Sequence, residues 1–141
     1  MIHILILNHH SSHSDGLNGQ EGFAPSLPFE IINEILSYFP QDRSIQPILH
    51  ACTLISRAWY SATIARLYQH PHITGPNYKS FVNAVCPSIN AHIRKNGLAE
   101  LVKTLDLSTL VHHGSKSLTA RLLGRVKSHL EVFVAPQASF A

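Results

Sequence analysis

Apolar and polar positions change their period along this chain, and each change marks an element. From Leu27 to Phe39 the apolar residues Leu27, Phe29, Ile31, Ile32, Ile35, Leu36 and Phe39 recur at helical spacing. Pro28 suits the first turn, where its missing N–H costs nothing and its φ is already helical. Glu30 comes next in that turn, near the positive end of the helix dipole. At about 100° per residue the apolar positions fill roughly 200° of arc, against about 100° for a helix packed on one core. Glu30, Asn33, Glu34 and Ser37 occupy the remainder. Two readings are open. A helix buried on most sides within its own domain is the simpler on the wheel alone. A helix with two apolar surfaces, one for its own core and one for a partner, accounts for the excess.

Pro40 ends this helix, because the residue before a proline is turned away from the α conformation. Gln41 to Ser44 is a turn in which Asp42 or Ser44 can cap the next element, and Pro47 falls where a first helical turn tolerates it. Ile48, Leu49, Cys52, Ile55, Trp59, Ala62 and Leu67 then predict one long helix, or two short ones broken near Thr53–Ser56, reaching about Tyr68. Trp59 reads as a core anchor, since no other side chain removes more area from water. His70 to Pro76 breaks the helix. Phe81, Val82, Val85, Ile89 and Ile93 form another stripe, interrupted by Pro87, with Asn96-Gly97 as its C-terminal stop.

Beyond Gly97 the period drops to two. Val102 to Leu107 alternates as a half-buried strand does, Ser117 to Leu130 returns to helix, and Glu131 to Ala135 is a second strand stopped by Pro136. The strings Val102-x-x-Leu105-x-Leu107 and Leu130-x-x-Phe133-x-Ala135 align at an offset of 28 residues, inside the range of about 20–29 for a leucine-rich repeat. The Asn or Cys of that repeat is absent, Leu110 and Ala138 standing in its place. Two such units are too few to bury their faces, because about three are needed. The expectation is therefore an incomplete repeat region, the front of a longer protein or a truncated product.

Composition narrows the class. The chain has 141 residues, 45% apolar and 13% charged, with a net charge of +3. The densest cationic cluster is Arg121, Arg125 and Lys127. That is a weak case for nucleic acid, which needs a contiguous basic face. Cys52 and Cys86, the only cysteines, read as free thiols in a reducing compartment. The apolar run Met1 to Leu7 lacks the cationic flank and cleavage site of a signal peptide, and no stretch reaches the roughly 18 apolar residues of a membrane span. A soluble, intracellular protein, cytoplasmic or nuclear, is expected, with no membrane partner.

Residues 8–26 have little to bury and read as a disordered lead-in. Their His9, His10 and His13 lack thiols or carboxylates at metal-binding spacing, and His70 and His72 lack a third ligand, so no metal and no cofactor is expected. For catalysis there is no G-x-S-x-G elbow, phosphate loop or H-E-x-x-H motif. His112-His113-Gly114-Ser115-Lys116 could be drawn as a catalytic turn, but Ser117 capping the next helix explains that loop more simply.

Taken together, Leu27-Pro28-x-Glu30-Ile31-Ile32-x-x-Ile35-Leu36, then Leu49-x-x-Cys52, then Leu54-Ile55-Ser56-Arg57-Ala58-Trp59 resembles an F-box over about residues 27–67. The stretch Arg66 to Ile73 before repeat-like units resembles fungal F-box proteins with leucine-rich repeats. Arg43, where the family often has an apolar residue, and Pro47 depart from the pattern. The resemblance implies a three-helix bundle in residues 25–70, after a disordered segment 1–24 and before an α/β leucine-rich-repeat-like region, 71–141. It implies docking on a Skp-family adaptor that leads to a cullin–RING (SCF-type) ubiquitin ligase, with a target protein held by the repeats and no catalysis by this subunit. The adaptor-binding residues carried over are Leu27, Pro28, Ile31, Ile32 and Leu36, with Leu54 and Ile55. Some of these must also form the bundle's own core. The alternative is a repeat-type binding module unrelated to ubiquitin.

Overall fold

The computed structural model describes residues 26–87, 97–110 and 116–137. Its first helix, α1 (Phe29–Ser37), starts where the extended backbone of Pro28 turns inward and the Pro28 carbonyl accepts from the N–H groups of Ile31 and Ile32. After Pro40, Asp42 accepts from the Ser44 N–H at 2.8 Å and opens a short 3₁₀ turn, Arg43–Ile45. That turn runs into α2 (Gln46–Thr53), with Pro47 in its first turn as expected. The chain then breaks. Leu54 to Ser56 link α2 to α3 (Arg57–Gln69), whose N-terminus is capped by the Ser56 hydroxyl accepting from Trp59 N–H. Of the two readings for this region, the two-helix one holds.

The α1–α3 bundle closes on Ile32, Leu36, Ile45, Leu49 and Ala62, with Phe39, Ala58, Trp59 and Leu67 packed around them. Its parts are tied by Arg66, which donates to the Leu36 carbonyl at 2.8 Å and so holds the end of α1 against α3. Burial of Ile32 and Leu36, both fully enclosed, is worth about 1.5–3 kcal/mol for each side chain.

The second half begins with α4 (Gly75–Val85), where Asn77 accepts from the Thr74 N–H at 2.8 Å and donates to the His72 carbonyl. A four-residue helix, α5 (Leu98–Leu101), leads into β1 (Thr104–Asp106); α6 (Lys116–Val126) then crosses to β2 (Val132–Val134). Gly97 therefore stands at the N-terminal side of α5; Asn96, Ile89 and Ile93 lie outside the described residues. Ser117 is the second residue of α6 and not its cap, because the helix begins one residue earlier than the hydropathy suggests. The strands pair in parallel as Thr104↔Val132, Leu105↔Phe133 and Asp106↔Val134, which is the 28-residue offset of the aligned strings. A core of Tyr78, Val82, Val85, Val102, Leu105, Leu107, Leu122 and Val126 fills this half.

Leu67 packs against both cores. Polar contacts add to the join. The Gln69 carbonyl accepts from Lys103 N–H at 3.0 Å, His70 Nδ1 lies 2.9 Å from Thr104 Oγ1, and Arg43 meets Asp106 at 2.6 Å.

Candidate protein-docking face

The apolar arc of α1 divides between an inner and an outer side. Ile32 and Leu36 point inward and are fully buried, while Leu27, Phe29 and Ile31 are 44%, 48% and 47% exposed. Pro28, between them, is exposed as well. The link between α2 and α3 adds Leu54 and Ile55, at 55% and 60%. These two project because Ser56 must stay extended to cap α3, so the residues before it lie outside either helix.

An open cleft of about 340 Å³ brings part of this set together. Leu27, Ser26, Ile55, Ser56, Ala58 and Trp59 line it, and Ile32 lies among them. Leu27 from the start of α1 and Ile55 from the link, 28 positions apart in sequence, thus share one concavity. Pro28, Ile31 and Leu54 are not part of its lining, and Leu36 is wholly inside the bundle. Trp59 departs from the core-anchor expectation. It is only half-buried, with one side on the bundle core and the other on the cleft. Its place on this face was not legible, because only the folded link puts Ile55 and Leu27 beside it. Phe29 was already present in the wide apolar arc.

No residue lining the cleft carries an ionisable side chain, so its chemistry is burial of apolar surface. The rest of the described chain adds no catalytic grouping at this face. Among the described residues no set of three or more His, Cys, Asp or Glu could hold a metal. His70 is engaged with Thr104; His9, His10, His13 and the 112–115 turn lie outside the described residues. Cys52 and Cys86 are free and buried, and burial pushes both thiols up from their ordinary value. For Cys86 the nearby Arg121 and Arg125 pull in the opposite direction. Among the described residues no helix is long and apolar enough to cross a membrane.

No family model and no solved structure matches the chain. Two curated proteins are similar to it. The chain is 38% identical over 87 residues to F-box protein YDR306C of Saccharomyces cerevisiae, a match covering 62% of this chain and 17% of that protein. It is 24% identical over 119 residues to Protein pof5 of Schizosaccharomyces pombe, covering 84% of this chain and 31% of that one. The chain thus spans less than a third of either relative.

Proposed function

We propose that this chain is a substrate-receptor subunit of an SCF-type ubiquitin ligase, holding a Skp-family adaptor through α1–α3 and a target protein through the half that begins at α4. The observation that carries the reading is the exposed apolar set Leu27, Ile31, Leu54 and Ile55 at the positions where the chain resembles an F-box. Similarity to a protein named as an F-box protein supports it. The face to be covered is Leu27, Pro28, Ile31, Leu54 and Ile55, joined by Phe29 and Trp59. Ile32 and Leu36 act from inside, shaping the bundle that presents the others.

Such a subunit breaks no bond. It holds the target beside a ubiquitin-loaded enzyme, and the gain is one of effective concentration and orientation. The strand–helix–strand unit with its 28-residue register supports a leucine-rich-repeat-like region on the target side. It also supports the second reading, a repeat-type binding module with no ubiquitin partner.

Co-purification of the full chain with a Skp-family adaptor separates the two. A one-to-one complex is expected, lost in the double variant Leu27→Ala with Pro28→Ala while the melting temperature stays within about 2 °C, as for exposed positions. A folded, monomeric chain that ignores the adaptor would leave the repeat-module reading.

A further inference from the structure

The described chain carries a second feature that the adaptor face does not use. Between Asp106 and Glu131 the sequence has no acidic residue, yet it holds Lys116, Arg121, Arg125 and Lys127. All four are exposed on α6 or in the turn after it. The ion pairs of the described residues are Arg43–Asp106 and Lys103–Glu131, so none of the four is paired there.

Arg125 in the last turn of α6 and Lys127 just after it suit the helix dipole, but the rest of the placement is locally unfavourable. Lys116 opens α6, where the helix dipole repels a cation, and the first turn carries no acid to offset it. Arg121 and Arg125 stand four apart on one side of the helix, where like charges repel. Two local costs on one exposed face, with no acid paired to these cations among the described residues, point to a functional surface. Between the cations the outward arc of α6 is small: Ala120 and Gly124 are exposed, and a Cβ added at Gly124 would meet nothing within 4 Å. The opposite arc, with Leu122 and Val126, is fully buried.

We propose that the outer face of α6 is a docking surface for an acidic polypeptide segment, the carboxylate-rich stretch of a target protein. This rests on the receptor reading above and names the class of target. The face lies apart from the proposed adaptor site, because α6 packs on α4 and α5, whereas the cleft belongs to α1–α3. Charge selects an anion, and the small residues let a polypeptide backbone approach the helix. Nucleic acid fits less well. An 11-residue helix spans only about 16 Å, and the face offers no aromatic ring on which a base could stack. A membrane surface would need the apolar arc of α6, which is spent on the core.

The test uses the full chain and fluorescein-labelled peptides of six Glu-Gly or six Gln-Gly repeats, read by fluorescence anisotropy at about 50 and 200 mM salt. The Glu-Gly probe is expected to bind, more weakly at the higher salt, and the Gln-Gly probe not to bind. Arg121→Ala with Arg125→Ala should weaken the acidic probe about tenfold, as expected when two charge contacts are lost. Lys79→Ala, an exposed cation on α4, should leave it unchanged. The reversed variant Arg121→Glu with Arg125→Glu should bind a Lys-Gly peptide instead, which a merely unfolded variant would not do. Equal loss in Lys79→Ala, no binding of the acidic probe, or tighter binding of a single-stranded oligonucleotide would overturn the proposal. Adaptor co-purification of the same variants keeps the two readings apart: Arg121 and Arg125 changes should retain the adaptor, and Leu27 and Pro28 changes should retain the acidic probe.

Discussion

Thr63 is fully buried on α3, and its hydroxyl oxygen has no hydrogen-bond partner among the described residues. A hydroxyl taken from water without compensation is a net loss, and valine offers nearly the same shape without it. Thr63→Val is expected to raise unfolding stability by about 1 kcal/mol, seen as a higher urea midpoint at unchanged slope. A lower midpoint would show that the hydroxyl has a partner. Trp59 teaches the complementary lesson. Its size favours burial, but one side remains on the cleft, where an aromatic anchor serves an interface as well as it serves a core.

Within α1, neighbours in sequence have opposite fates: Ile31 is 47% exposed and Ile32 not at all. The helical period makes this unavoidable, since adjacent residues stand about 100° apart. Leu36→Ala should therefore cost about 2–5 kcal/mol through the cavity it leaves. Ile31→Ala should change stability by about 0.5 kcal/mol or less and, on the proposed receptor role, weaken co-purification with a Skp-family adaptor. Denaturation and co-purification of the two variants check this, and equal destabilisation by both would place Ile31 in the core. The strands differ in the same way. Leu105 of β1 is fully buried between half-exposed neighbours, the alternation expected, whereas Val132, Phe133 and Val134 of β2 are all exposed. β2 pairs with β1 alone among the described strands.

At the scale of the molecule, Arg43 and Asp106 span the two halves at 2.6 Å. Arg43 is the residue that departs from the F-box pattern, and here it has a use: an apolar side chain could not reach the carboxylate at the end of β1. Asp106 also accepts from the hydroxyl and N–H of Ser108. These Ser108 bonds first, then Arg43, hold its carboxyl at about 2, below the ordinary 3.8. A folded-state pKa below the unfolded one means that the carboxylate's stabilisation is fully present above pH 3.8 and disappears as pH falls through about 2. Asp106→Asn should lower stability at neutral pH and flatten its fall between those values, measured by urea denaturation across the acid range. An unchanged pH profile would show that this contact does not couple the halves.

What the sequence by itself determined is what depends on neighbours a few positions away. The opening of α1 beside Pro28, which caps the helix from outside its first turn, the tolerance of Pro47 and the two short strands are local matters of φ, caps and period, whereas the break before Ser56 was one of two readings the pattern left open. The 28-residue offset was legible too, because apolar strings that recur can be aligned without knowing where they lie. Only the tertiary structure decided how the apolar arc of α1 is shared, with Ile32 and Leu36 inward and Leu27 and Ile31 outward. A hydrophobic pattern records that a side chain is apolar, not which neighbour covers it. The same holds for the meeting of Leu27 with Ile55 and Trp59 at one cleft, and of Arg43 with Asp106. Those contacts join positions far apart in the chain, and they exist only once the helices have packed.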